Sequence, residues 1–355
     1  MTRQEALDCF YTHALADVTR LYRIAPDGLV VYPDSVGCRN LVFEFRRDGR
    51  KMILRASFRP DRPLGQVQAE VHFIDYLAEG GMSVSRAVPS EDGNQVESLS
   101  AGAERFIVVA FEKAPGMRLP DNGYRYREGV SIDEYFRNWG RALGKMHALT
   151  RKYVPPRPDL RRPTWLQMHP SSGVDRVVPD EMPVVKEKLK AMLAGLGKLP
   201  TPADAYGLIH ADFNDGNFCV DYTNGGITVF DFDDACYGWF AGELADAWNG
   251  GVGWTMSQSD PQKRRDFMQR YMEQVLLGYA RENPPDPSWL DSLPFFLKVI
   301  EMDGLMCRLG YAADNELPLE DEGEVKYLIR CIEEDIPYRG LYDPIFSPAD
   351  PFSLD

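Results

Sequence analysis

The sequence predicts an α+β chain in two lobes, a small β-rich one over residues 1–112 and a larger, mainly helical one over residues 113–355. Three observations carry this. At 355 residues the chain exceeds the length that one hydrophobic core usually organises, so two lobes are the default. Strand and turn signals crowd the N-terminal third, and the rest is dominated by apolar residues spaced three and four apart, the period of a helix with one buried face.

Taken in order, Gln4 to Tyr22 has apolar residues at Leu7, Phe10, Tyr11, Ala14 and Val18, a helical period expected to pack on the outside of the first lobe. Leu41 to Phe45 and Met52 to Ala56 flank an Asp48-Gly49 turn and read as a hairpin. A helix follows from Leu64 to Ala78, with Val67, Val71, Ile74 and Leu77 as its buried stripe and Glu70 on the flank. Gly80 to Glu104 is polar, with an Asp92-Gly93 turn, and reads as a surface connection. Phe106 to Phe111 is a continuous apolar strand ending at Glu112, with a chain break at Pro115-Gly116. Ser131 and Glu134 form a capping-box pattern ahead of a helix along Ile132, Phe136, Trp139, Leu143, Met146 and Thr150, with His147 packed or half-exposed beside that stripe. Arg151 to Pro163, rich in Pro and Arg, reads as a solvated loop. Later helices are expected at Pro261 to Arg281, capped by Asp260, at Trp289 to Tyr311 and at Glu322 to Glu334.

The chemistry concentrates in His210-Ala-Asp212-Phe-Asn-Asp-Gly-Asn217 and, fourteen residues on, Asp231-Phe232-Asp233. This spacing suits phosphoryl transfer: Asp212 to orient a hydroxyl and accept its proton, Asn217 and Asp231 to hold magnesium on a triphosphate. Apolar runs on either side of Asn224-Gly225 make a second hairpin, and a two-residue loop there would pair Phe218 with Asp231, setting Asn217 beside Asp231. Two protein oxygens plus water and phosphate oxygens suit magnesium. A calcium loop would need Gly and Glu where Asn217 and Thr223 stand. A plain surface turn would not explain the flanking Leu208, Ile209 and Phe218, since a bare charge among apolar residues is costly.

On these residues, with Asp231-Phe-Asp-Asp234 and the following Tyr237 to Asp246, the chain resembles the aminoglycoside phosphotransferase and choline kinase superfamily, which has the two-lobed protein-kinase-like fold. It looks most like the branch with type II homoserine kinases, hydroxylysine kinases and stress-response kinases, over roughly residues 30 to 250. The resemblance implies ATP and Mg2+ as cofactors and transfer of the γ-phosphoryl group to a hydroxyl of a small, amino-bearing molecule. It places adenine against the backbone near Glu112 and Ala114, and a phosphate-covering loop over Asp34 to Asn40. Where the family has Lys on the strand after the hairpin, paired with a Glu, this chain has Arg55, with Glu70 in place to pair with it; Arg can replace Lys there with altered geometry. Lys51 stands too far along the strand. A stress-type protein Ser/Thr kinase would use the same residues on a polypeptide, although no Ala-Pro-Glu element follows Asp246. A non-catalytic nucleotide-binding relative is disfavoured because Asp212, Asn217 and Asp231 are all present.

Composition narrows the partners. Forty basic against 54 acidic residues leave a net charge of −14, which repels nucleic-acid phosphates and favours cationic substrates. Six cysteines without a CxxC pair read as free thiols in a reducing, cytoplasmic setting, and a zinc site from Cys219, Cys236 and His210 is less favoured than buried thiols. No apolar run reaches membrane-spanning length, so no membrane partner is expected. The acceptor molecule and the oligomeric state stay open.

Overall fold

The computed structural model describes residues 1–25, 27–32, 40–59, 62–255, 257–314 and 323–336. They form two compact units, each drawn from separated segments: Met1–Asn122, Tyr153–Arg162 and Asn217–Asp234 in the first, Gly123–Lys152, Pro163–Gly216 and Ala235–Asp355 in the second.

The first unit is built on an antiparallel sheet of six strands among the described residues. Across it run Val30–Val31, Leu41–Arg47, Arg50–Ser57, Glu104–Glu112 and Ala87–Val88, with Glu97–Ala101 also paired to Glu104–Glu112. Arg47 pairs with Arg50 around Asp48 and Gly49, both left-handed at φ 50° and 78°, the primed turn whose twist matches a hairpin. Alternate residues Leu41, Phe43 and Phe45 are buried, and the N-terminal helical segment (Arg3–Cys9, a π turn at Phe10–Ala14, Leu15–Tyr22) covers them. Phe10 stacks on Phe43 at 4.8 Å and meets Phe106 edge-on at 5.5 Å. This segment therefore covers the sheet and supplies part of its core.

Two expectations fail in this unit. The polar stretch 80–104 holds the strands Ala87–Val88 and Glu97–Ala101, because the apolar strand Glu104–Glu112 offers backbone partners that outweigh weak local propensity. Nor is Arg151 to Pro163 solvated throughout: most of it is exposed, but Tyr153 packs on Phe73 at 5.1 Å, and the buried Arg162 donates to the carbonyls of Gln66 at 3.1 Å and Asp233 at 2.5 Å.

In the second unit, the helix Ile132–Thr150 lies against Pro261–Ala280 so closely that a Cβ on Gly140 would sit 2.0 Å from the Val275 carbonyl oxygen, and one on Gly278 would sit 1.9 Å from that of Arg137. Only glycine allows the two backbones to meet there. Asp260 caps the second of these helices, accepting from Gln262 N at 2.9 Å. Ser131 caps the first through Asp133 N at 3.3 Å, but the expected box stays open because Tyr126 and Arg127 occupy the Glu134 carboxylate. The helix expected over Trp289 to Tyr311 divides into Pro287–Leu290 and Leu293–Asp314, since Pro294 has no N–H to give the Leu290 carbonyl as a continuous helix would require. A further helix spans Gly323–Glu333, and Tyr206–Ile209 pairs antiparallel with Cys236–Trp239. Among the described residues no helix is long and apolar enough to cross a membrane.

Candidate active site

The first unit carries the predicted nucleotide-side residues. Arg55 and Glu70 meet as a buried fork, Nη1 to Oε1 at 2.8 Å and Nη2 to Oε2 at 2.5 Å. Glu70 is fully buried, inside the apolar stripe rather than on its flank, because the guanidinium reaching over from Arg50–Ser57 neutralises it. Arg55 Nη1 also lies 3.7 Å from Asp231 Oδ1, and its guanidinium sits 5.3 Å from the Phe111 ring centroid. Lys51, four residues along the strand, instead pairs with Glu44 at 3.0 Å.

Arg55→Ala is expected to destabilise the protein by about 3–5 kcal/mol, since it strands a carboxylate that no water reaches. An unchanged denaturation midpoint would show that Glu70 finds another partner.

At the end of Glu104–Glu112 the Glu112 N–H donates to the Arg86 carbonyl at 2.9 Å and that of Lys113 to Lys51 at 3.2 Å. Among the described residues, the Glu112 carbonyl and the Ala114 N–H take part in no hydrogen bond. An acceptor and a donor two residues apart thus go unused within the described chain. The Asp34 to Asn40 loop lies outside the described residues except for Asn40, whose amide donates to Asp233 at 3.3 Å.

The second hairpin corrects the expected register. Phe218 pairs with Val229, not Asp231, because the turn is longer than two residues: the Asp221 carboxylate accepts from Thr223 N, Thr223 Oγ1 and Asn224 Nδ2, and Gly225 N–H donates to the Asp221 carbonyl. The side-chain turn at Asp221 was the signal that sequence reading passed over. Phe230 N–H donates to the Asn217 carbonyl at 3.0 Å, so Asn217 still lies opposite the residue before Asp231. Asp231 itself is left-handed at φ 64°, a conformation Asp tolerates better than most residues, and its side chain stays 48% exposed while Phe232 next to it is fully buried.

Three arginines bear on the next carboxylate. Burial raises Asp233, but the charges of Arg55, Arg62 and Arg59 outweigh it and hold the group down at about 2. Arg59 reaches Asp233 at 3.1 Å, and Arg62 spans Asp233 at 3.4 Å and Asp234 at 2.5 Å. Nothing in the sequence around Arg59 and Arg62 marks them, since their partners lie more than 170 positions away.

The catalytic-loop residues up to Gly216 belong to the second unit. Asp212 is exposed and its Oδ1 accepts from Asn214 Nδ2 at 2.7 Å, which sets its rotamer. The residue before it, Ala211, is left-handed at φ 65°, a strained state for a residue with a Cβ. That strain is held by Glu243, whose Oε1 accepts from Ala211 N–H at 2.7 Å. Behind Glu243 runs a buried chain: Asn283 Nδ2 donates to Tyr279 Oη at 2.8 Å, Tyr279 donates to His147 Nδ1 at 2.8 Å, and His147 Nε2 donates to Glu243 at 2.7 Å. His147 is wholly buried and stacks on Phe240 at 4.2 Å, so it is packed and not half-exposed. On the other side of the loop, burial raises Asp215 while hydrogen bonds from Tyr135 and Trp254 hold it in place. Glu243 and Asp215 were not singled out by sequence reasoning.

Asn217 and Asp231 supply hard oxygen donors, the chemistry that a magnesium ion on phosphates requires of a protein. No group of three or more His, Cys, Asp or Glu among the described residues could hold a metal ion, so a metal here would take most of its ligands from phosphate and water.

Residues 31–282 match the phosphotransferase enzyme family. The amicoumacin kinase of Bacillus subtilis (strain 168) is 30% identical over 289 residues, 81% of this chain and 82% of that protein. The homoserine kinase of Pseudomonas aeruginosa (strain PAO1) is 25% identical over 239 residues, 67% of each chain. An amicoumacin kinase solved in complex with AMP-PNP, Ca2+ and Ami superposes with a TM-score of 0.82 at 25% identity, covering 95% of this chain and 97% of that one. The chain therefore belongs to the phosphotransferase enzyme family and is an ATP-dependent small-molecule phosphotransferase with the α+β, protein-kinase-like fold.

Proposed function

We propose that the chain moves the γ-phosphoryl group of ATP to a hydroxyl of a small, amino-bearing molecule, with magnesium held by Asn217 and Asp231. The observation that carries the nucleotide side is the contrast at Arg55: its guanidinium is buried and fixed by Glu70, while Asp231 at 3.7 Å keeps an exposed carboxylate. A cation so fixed can meet phosphate oxygens without first losing conformational freedom. The Glu112 carbonyl and the Ala114 N–H take the adenine edge. Magnesium, when bound, offsets charge that develops on the phosphoryl oxygens. Asp212 accepts a hydrogen bond from the acceptor hydroxyl and orients it. As the oxygen–phosphorus bond forms and the bond to the ADP oxygen breaks, the hydroxyl proton passes to Asp212. The need for ATP supports a cytoplasmic location.

The test is magnesium-dependent ADP release by the purified protein with amicoumacin, homoserine, aminopropanol, choline, hydroxylysine and an aminoglycoside as acceptors. One acceptor is expected to raise ADP release well above the background rate. Label from γ-labelled ATP appearing in protein rather than in a small molecule, after incubation with cell extract, would instead favour the protein Ser/Thr kinase.

A further inference from the structure

The spacing Asp231-x-Asp233 offers two carboxylates to one metal ion, yet the first unit gives them opposite surroundings. Asp231 is left-handed, with a side chain 48% exposed. Asp233 is buried, and both of its oxygens are engaged. Its Oδ2 accepts from Arg59 Nη1 at 3.1 Å and from Asn40 Nδ2 at 3.3 Å, and its Oδ1 lies 3.4 Å from Arg62 Nε. The Asp233 carbonyl accepts from Arg162 Nη2 at 2.5 Å, and the Asp234 carboxylate accepts from Arg62 Nη2 at 2.5 Å. Turning the Asp233 carboxylate toward a metal ion would take a counter-charge from Arg59 and Arg62, whose side chains are 11% and 8% exposed. Removing one partner of such a buried pair is costly.

These contacts fix the segment that carries Asp231. A left-handed residue with a Cβ keeps that conformation only where its surroundings over-determine it. Upstream, Phe230 N–H donates to the Asn217 carbonyl at 3.0 Å. Downstream, Phe232 is fully buried and meets Phe73 edge-on at 5.8 Å, and Asp233 is tied by Asn40, Arg59, Arg62 and Arg162. Arg59 follows the strand Arg50–Ser57 that carries Arg55, and Arg62 precedes the helix Leu64–Glu79 that carries Glu70. A turn joins the two arginines, with Arg62 N–H donating to the Arg59 carbonyl at 3.2 Å. Arg162 reaches the same helix through the Gln66 carbonyl at 3.1 Å. Asp233 thereby sets Asp231 in register with the Arg55–Glu70 fork, 3.7 Å from Arg55 Nη1.

We propose that Asp233 is a positioning residue: paired with Arg59 and Arg62, it holds Asp231 where a metal ion needs it and is not itself a ligand. This rests on magnesium being held by Asn217 and Asp231, as proposed above. The test uses AMP-PNP and Mn2+, which shares magnesium's preference for oxygen ligands. The metal's contribution is read as the ratio of affinities for Mn2+–AMP-PNP and metal-free AMP-PNP, and the Asp231 backbone from its carbon chemical shifts in the ligand-free protein. Asp233→Asn and Arg59→Gln are each expected to lower the ratio by about tenfold, the low end of the loss when a group orienting a metal ligand is removed. Both should move the Asp231 shifts away from left-handed values, and Arg59→Lys, which keeps the charge, should restore most of each readout. Asn40→Ala removes a neutral donor and no charge, so it stays folded if the charge variants do not, and the same shifts are expected to move. A direct ligand would behave oppositely: Arg59→Gln would free its carboxylate and raise the ratio, which would overturn the assignment. So would a wild-type ratio and wild-type Asp231 shifts in every variant shown by circular dichroism to be folded. If Asp231→Ala keeps the wild-type ratio while Arg59→Gln moves the Asp231 shifts, the magnesium assignment fails and the positioning role stands.

Discussion

Asp212→Ala is expected to lower turnover by about 10²- to 10⁴-fold, the range for loss of a positioned general base, while the KM for ATP stays near the wild-type value. The split follows from the local structure. Asp212 is exposed and accepts from its neighbour Asn214 within the loop, whereas the loop itself is held by Glu243 on Ala211 N–H and by Tyr135 on Asp215. Removing the carboxylate therefore leaves the backbone in place and subtracts only what it does to the acceptor hydroxyl. Initial rates at saturating ATP, with the acceptor varied, measure this directly. Wild-type turnover in the variant would remove Asp212 from the chemistry and shift attention to the other acids of the loop.

Asp231→Ala is expected to reduce transfer by about 10³-fold or more, because a metal ligand supplies several kcal/mol of charge stabilisation on the phosphoryl group. Its effect should differ in kind from that of Asp212: the dependence of rate on magnesium concentration shifts upward along with the loss of rate. Stability is expected to change little, since Arg55 keeps its buried fork with Glu70 when the 3.7 Å contact to Asp231 is lost. A magnesium titration that superposes on the wild-type curve would refute metal ligation by this residue.

How much of this was legible beforehand varies with the range of the interactions. The Asp48-Gly49 hairpin, the Asp260 cap and the helical stripes were readable because turn chemistry and periodicity act within a few residues. The strands Ala87–Val88 and Glu97–Ala101 were not, since their pairing depends on a partner strand and their own residues are polar or few. The Phe218 hairpin shows the boundary between the two. Its existence was plain, but its register depended on a carboxylate folding back on its own turn.

The sequence by itself determined the chemistry on offer, an Asp-x4-Asn followed by a third oxygen donor at Asp231, and the helical and strand periods that carry it. Only the tertiary structure decided which charges are buried and therefore what each is for. Arg55 became a fixed cation because Glu70 sits inside an apolar stripe. Glu243 became a clamp on a strained alanine because a histidine from another helix completes its second oxygen. The cost of burying a charge depends on what surrounds it in space, and neighbours dozens of positions apart leave no trace in local sequence.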